Sequence, residues 1–439
     1  MGIWAIVMLF VVIGVLMLGY PVAFSLGAVA FFFGSIFLDF HDFSALPLRI
    51  WGIMTNFTLL AVPLFVFMGV LLEKSGLAEQ LLETMSELFG KLRGGMGVTI
   101  VVVGALLAAT TGVVGATVVT MTVIALPVML KHGYKPELAS GSIAAAGTLG
   151  QIIPPSIILV LLGDVIGVPV GRLFMGAVTP GLVLILFFII YILVIAKIRP
   201  QYAPPMVSRS DSSKDLYLRV LKSLIPPLFL VVAVLGSIFF GFASPTESAA
   251  IGALGALLLA AIHKKLNLKN LQESMQNTLK MTSMVFLILV GATAFGLVFR
   301  DMGGDEVVEN ILTSLPGGEW GFLFVSMLLL FILGFFLDFI EITFIVVPIL
   351  APIATLLGID LMWFAVLIAM NLQTSFLTPP FGFSLFYLKA AAPPGIRMQQ
   401  VYRGIIPFVI IQVLTLIVLI LFPELTLWLP DLMDKLNFN

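Results

Sequence analysis

Apolar residues run almost unbroken through stretches such as 2–18, 182–198 and 401–422. Each reaches the length that crosses a hydrocarbon core as a helix. None of the spans alternates as a barrel strand would, and lipid offers no partner to an open backbone group. The pattern predicts an all-helical chain that crosses a membrane many times. Helices are expected near 3–19, 22–38 and 55–72. The stretch 76–92 is different. Leu77, Leu81, Leu82, Met85, Leu88, Phe89 and Leu92 fall on one face and Glu79, Glu83, Glu87 and Lys91 on the other. That predicts an amphipathic arm helix lying in the interface.

Two runs are too long for one span and are interrupted inside. The first, 97–130, breaks at TTGVVGAT (110–117); the second, 320–356, breaks at GFFLDFIEITF (334–344). Both are expected to be re-entrant hairpins, against the alternative of one long tilted helix each. After each comes a span broken by adjacent prolines, GTLGQIIPPS within 138–165 and QTSFLTPPFG within 361–388. A last span follows, near 174–197 and 404–422.

These landmarks repeat. Pro154-Pro155 and Pro379-Pro380 are 225 residues apart, as are Pro127 and Pro352, and Arg172 and Arg397. Pro21 and Pro245 are 224 apart, and Pro180 and Pro407 are 227 apart. Five landmarks in one order predict two repeats, as in many secondary transporters. The first repeat is read as 1–198 and the second as 223–439. In the second, an arm is expected at 304–315. Tracing the first half gives an odd number of crossings, so the second is expected to be inverted.

Charge orients the scheme. Lys197, Arg199, Arg209, Lys214, Arg219 and Lys222 outnumber Asp211 and Asp215 in a polar stretch, which makes 199–222 a cytoplasmic linker. His263-Lys264-Lys265 and Lys131–Lys135 belong on the same side, whereas Asp305, Glu306, Glu309 and Glu319 face the other. The N-terminal run has no basic region ahead of it and no small-residue cleavage site, and reads as a retained helix. Hydrophobic residues make up 60% of the 439 and charged ones 10%, with a net charge of −1 that suggests no nucleic-acid partner. Cysteine is absent, which excludes disulfides and thiolate chemistry.

Proline removes a backbone donor and clashes with the preceding turn, so each pair unwinds its helix. The freed carbonyls of 148–153 and 373–378 must line a cavity or bind something. Oxygens at such a break suit a hard cation such as Na+, and a half-helix N-terminus favours an anion. The plainer alternative is a kink satisfied by neighbouring Ser, Thr and helices. If a hairpin tip meets each break, two oxygen cages form. One would draw on Thr110, Thr111, Gly112, Gly115 and Thr117 with Gly150 and Ile153. The other would draw on Asp338, Glu341 and Thr343 with Ser375 and Thr378. Between them Thr148, Gln151, Gln373 and Thr374 are expected to hold substrate. Asp338 stands out, because a carboxylate at membrane depth is costly unless it has a function; Glu341 has the alternative of reaching a wet tip. Ser244-Pro245-Thr246-Glu247 reads as a capping box, GATAFG (291–296) as a close-packing surface, and His41, His132 and His263 as solvated.

In this order the motifs resemble the large membrane subunit of tripartite ATP-independent periplasmic (TRAP) transporters. The match is carried by GTLGQIIPPS, GRLFMGAVTPGL (171–182), SPTESAA (244–250), FFLDFIEITFIVVPIL (335–350) and NLQTSFLTPPFGFSLF (371–386), and covers nearly the whole chain. The resemblance implies an elevator-type Na+ symporter of the bacterial inner membrane, with a scaffold and a mobile domain. It also implies a periplasmic binding protein that delivers a carboxylate or related organic anion, and a separate four-helix membrane subunit. No cofactor is implied beyond Na+. The family's first tip is often serine-rich, whereas TTGVVGAT is not, so ligands there are expected to be backbone oxygens with Thr110, Thr111 or Thr117. An intramembrane hydrolase lacks support: there is no HExxH and no histidine at mid-depth. A passive channel or assembly subunit is the remaining alternative.

Overall fold

The computed structural model describes residues 1–205 and 213–437. Arg209 and Asp211, two of the linker charges, lie outside the described residues. In the first half α1 (Gly2–Met17) and α2 (Val22–Phe37) lead through a short turn to α3 (Leu46–Met54) and α4 (Ala61–Lys74). Then come α5 (Leu77–Phe89), α6 (Gly95–Thr111), α7 (Val114–Lys131), α8 (Pro136–Thr148), α9 (Ile157–Ile166) and α10 (Val170–Ile198). The second half runs α11 (Ser213–Phe239), α12 (Pro245–Ile262), α13 (Leu268–Asp301), α14 (Gly304–Thr313) and α15 (Glu319–Leu333). It ends with α16 (Phe339–Ile345), α17 (Val347–Leu356), α18 (Leu361–Leu377), α19 (Phe383–Ala391), α20 (Met398–Leu421) and α21 (Glu424–Asn437). Among the described residues six helices are long and apolar enough to cross a membrane, or eight if each sharply bent pair is one span. This is a polytopic all-α membrane protein.

Local chemistry sets the boundaries. Gly76 and Gly94 precede α5 and α6, and Gly303 and Gly318 precede α14 and α15, all four with positive φ. Only glycine enters that region without strain, so both arms and both hairpins start at a glycine turn. Ser244 caps α12: the Glu247 N–H donates to its Oγ (3.3 Å), and the Ser244 N–H donates back to Glu247 Oε2 (2.8 Å).

Several boundaries differ from those read in the sequence. The first arm ends at Phe89, leaving Leu92 53% exposed. It is wedged between α6 and α11, where Thr84 Oγ1 meets Ser223 Oγ at 2.9 Å and Glu87 pairs with Arg219 at 3.0 Å. Helix α11 starts at Ser213, ahead of the expected linker end at 222, because Leu216 and Val220 already pack inward. Helix α3 was not foreseen. It buries no residue, and its segment joins that of α4 through a 52° bend. The acidic tail is also helical: α21 docks on α10 through Trp428 Nε1 to Thr179 Oγ1 (2.9 Å) and Arg172 to Asp434 (2.9 Å).

The two interrupted runs fold back on themselves. A Cβ on Gly104 would lie 3.3 Å from the Met121 thioether, across the break at Gly112, so α6 and α7 lie side by side. Helix α15 likewise touches α17, and α16 bends 53° against α17 at Val346. Packing between the halves comes in exchanged pairs. Helix α2 packs on α13 and α12 on α4; α8 on α20 and α18 on α10; α7 on α19, and α16 and α17 on α9. In each case the repeat offset turns one packed pair into the other, α2 on α13 into α12 on α4, for example.

Candidate functional site

At the first tip, Gly112 ends α6 with φ +60°, and its N–H donates to Ala108 O at 2.9 Å. Thr111 and Thr117 share a hydrogen bond between hydroxyls (2.9 Å), closing the tip. Thr110 donates to Leu107 O and Thr117 to Val113 O, so the three buried hydroxyls are engaged within the tip. The tip packs tightly on α4. A Cβ on Gly69 would lie 2.8–2.9 Å from the carbonyl oxygens of Thr111 and Thr110.

The second tip is built from different chemistry. Asp338 is the N-cap of α16: its Oδ1 accepts from Phe339 N (2.7 Å), while its own N–H donates to Glu341 Oε2 (3.2 Å). That capping box occupies one oxygen of each carboxylate. Thr343 is fully buried, and its hydroxyl has no partner.

Each break meets the tip of its own half. Gly150 faces Ala108, with its would-be Cβ 3.4 Å from the Ala108 oxygen, and Gly334 closes on Ser375. Pro154 and Pro155 offer no N–H to the carbonyls of Gly150 and Gln151; Ser156 Oγ donates to the latter at 2.8 Å. Pro379 and Pro380 leave Ser375 O and Phe376 O in the same position, and the Thr378 N–H reaches the former at 3.0 Å. Both Pro–Pro bonds are cis. Ile153 is half-buried, its side chain against Gly181 of α10.

Between the tips lies a cavity of about 140 Å3. Gly112 and Gly115 reach it from the first tip, and Asp338, Phe339 and Ile340 from the second. Tyr387 of α19 crosses above Gly115, its ring 3.2–3.4 Å from where a Cβ would stand. Val62 and Val66 of α4 with Met281, Met284 and Val285 of α13 form the opposite wall. A second cavity of about 240 Å3 adjoins it through Val113 and Met281, and adds Glu73, Thr111, Asn277 and Lys280. Among the described residues no three His, Cys, Asp or Glu side chains converge.

The four residues expected to hold substrate do not line this cavity. Thr148 and Thr374 return their hydroxyls to Ala145 O and Met370 O, and both are fully buried. Gln151 and Gln373 are buried too, with amides that find no partner. The breaks are packed into the interior. Tyr387 and the aliphatic wall of this cavity, and Lys280 of the adjoining one, are lining residues that the sequence reading did not single out. Only Lys280 left a signal, as a lone charge immediately before a long apolar run.

The two tips, the two interrupted helices and the enclosed cavity are the architecture of a transporter. The whole fold resembles two solved transport proteins: the YdaH transporter of Alcanivorax borkumensis (TM-score 0.63, 14% identity, covering 92% of this chain and 96% of that one) and MtrF of Neisseria gonorrhoeae (TM-score 0.55, 13% identity, covering 88% and 83%). At such identities the likeness speaks for fold alone. Sequence relatives are nearer. The C4-dicarboxylate TRAP transporter large permease protein DctM of Vibrio cholerae is 31% identical over 98% of both chains. The sialic acid TRAP transporter large permease protein SiaM of the same organism is 31% identical over 96% of this chain and 97% of its own. The family model for the tripartite ATP-independent periplasmic transporter, DctM component, matches residues 7–425. The chain belongs to that family, and its relatives are named as permeases rather than enzymes.

Proposed function

We propose that the chain imports an organic anion, a carboxylate or sulfonate, coupled to Na+ and driven by no nucleotide. The observation that carries this reading is the meeting of both tips around one small cavity whose wall bears a single carboxylate, Asp338. An anion beside Asp338 is repelled unless a cation sits with it, so co-binding of Na+ is the physical condition for occupancy. One ion site is assigned to the first tip and Gly150, and the other to Asp338, Ser375 and Thr378. Substrate is assigned to the cavity between them, under Tyr387. Thr148, Gln151, Gln373 and Thr374 support the breaks.

The exchanged packing of the halves favours two inverted repeats moving as an elevator. Helices α1–α4 and α11–α13 would form the scaffold, with the hairpins and broken helices as the moving body. A small four-helix subunit and a periplasmic binding protein complete the proposed assembly in the inner membrane. The relatives named for C4-dicarboxylate and sialic acid both handle carboxylates, which fits this substrate class. The test is reconstitution with the cognate subunit and binding protein. Uptake should follow an imposed Na+ gradient, and with more than one Na+ per monoanion it should also respond to membrane potential. Undiminished accumulation in choline-based, sodium-free buffer would refute the coupling.

A further inference from the structure

Helix α13 borders three cavities along its length. Asn277, Lys280 and Met281 border the 240 Å3 cavity. Met281, Met284 and Val285 border the central one. Leu289, Ala292, Thr293, Gly296 and Arg300 border a third, of about 260 Å3. Lys280 to Arg300 spans ~30 Å of the helix axis, over which the bordering positions wind around the helix.

The segment GATAFG is divided between two tasks. Gly291 faces α2, where a Cβ would lie 2.5 Å from Ala23 O. Gly296 faces the third cavity, where a Cβ would meet nothing within 4 Å. Across the cavities stand Thr111 and Ala116 of the first hairpin at one end, and Phe344, Ile345 and Pro348 of the second at the other.

Each end carries an exposed cation. Among the described residues, Lys280 and Arg49 are in no ion pair, whereas Arg300 is held by Asp305 at 3.0 Å. Glu73, which shares the cavity of Lys280, accepts a hydrogen bond from Thr120 of α7 at 2.8 Å. Charges in a cleft with low-dielectric walls focus the field along it. From these observations, and resting on the anion-import reading, we propose that α13 is the fixed wall of the anion's path. Lys280 and Arg49 are the specificity-determining cations at its two ends.

The chain has no cysteine, so one introduced thiol reports one place. The experiment uses the full chain in membrane vesicles, with Met281→Cys or Thr293→Cys. An anionic sulfonatoethyl and a cationic trimethylammonioethyl methanethiosulfonate are compared. Both thiols should react, and the anionic-to-cationic rate ratio at Met281→Cys should fall about three- to tenfold on adding Lys280→Gln. Lys280→Arg should restore the ratio and Glu73→Gln should raise it. At Thr293→Cys the ratio should follow Arg49→Gln and ignore Lys280→Gln. Lys280 and Arg49 are exposed, so these changes leave the packing in place. A ratio that Lys280→Gln leaves unchanged, or an inert Met281→Cys beside a reactive Leu287→Cys on the outer surface, overturns the proposal. The labelling needs neither sodium nor substrate. Sodium-independent uptake with the labelling pattern intact would therefore sink only the coupling, and a flat ratio with sodium-dependent uptake only this inference.

Discussion

The two hairpin tips occupy matching places in the repeats and are made of opposite materials. The first has no charge. Three threonine hydroxyls bond within the tip, and the turn depends on a left-handed glycine. The second carries two carboxylates arranged as a cap on a seven-residue helix. The first tip itself offers only carbonyl and hydroxyl dipoles to anything bound there, whereas formal charge is built into the second. In the proposed cycle the second tip should therefore show the steeper dependence on sodium, and the first the steeper dependence on backbone fit.

The strongest way to break this comparison is Asp338→Asn. The substitution keeps the shape and one cap oxygen but removes the charge. Half-maximal uptake should move to sodium concentrations about tenfold higher or more, with the protein still folded. Wild-type sodium dependence would remove Asp338 from the ion site. At the first tip the matching perturbation is steric. Gly69→Ala drives a methyl against the carbonyls of Thr110 and Thr111, and overpacking of that kind costs about 1–3 kcal/mol. A lowered melting temperature with slowed uptake is expected; an unchanged melting curve would mean that α4 yields there.

A double-mutant cycle sharpens the contrast. Ser375→Ala touches the break that faces the second tip, so its effect on sodium affinity should be non-additive with Asp338→Asn. Thr111→Val should add to Asp338→Asn within about 0.5 kcal/mol. Equal coupling for both would merge the two ion sites into one. Thr111→Val alone removes the bond to Thr117 and should cost about 1 kcal/mol of stability. The smallest effect belongs to Glu341→Gln. An amide can still accept from the Asp338 N–H, so the cap survives and the sodium dependence should stay within about twofold. A larger shift would make Glu341 a ligand as well as a cap.

Much of the skeleton could be read from the sequence, because proline, glycine and charge act locally. The prolines at 154–155 and 379–380 mark the breaks, and the sequence from Ser244 to Glu247 announces its cap before any packing is known. The bend at Val346 and helix α3 left no such mark. LPLRIWGIM buries no residue fully, and its inward Leu46, Ile50 and Ile53 are no more apolar than the exposed Leu48, Trp51 and Met54; IVVPIL is apolar on all sides. The tips were visible as interruptions, but which side chains face the cavity was not. Tyr387 and Val285 look like any membrane residue until α19 and α13 are brought together.

Helix α21 is bolted to α10 at Thr179 and Arg172. Helix α1 instead rests on α2, α13 and α14. The two ends of the polypeptide are thus fixed to different parts of the molecule. A donor dye near the first turn of α1 and an acceptor near Asp434 would convert any sliding of one part past the other into a change in energy transfer. The motion could then be followed optically, molecule by molecule, without a dye near the tips or the cavity.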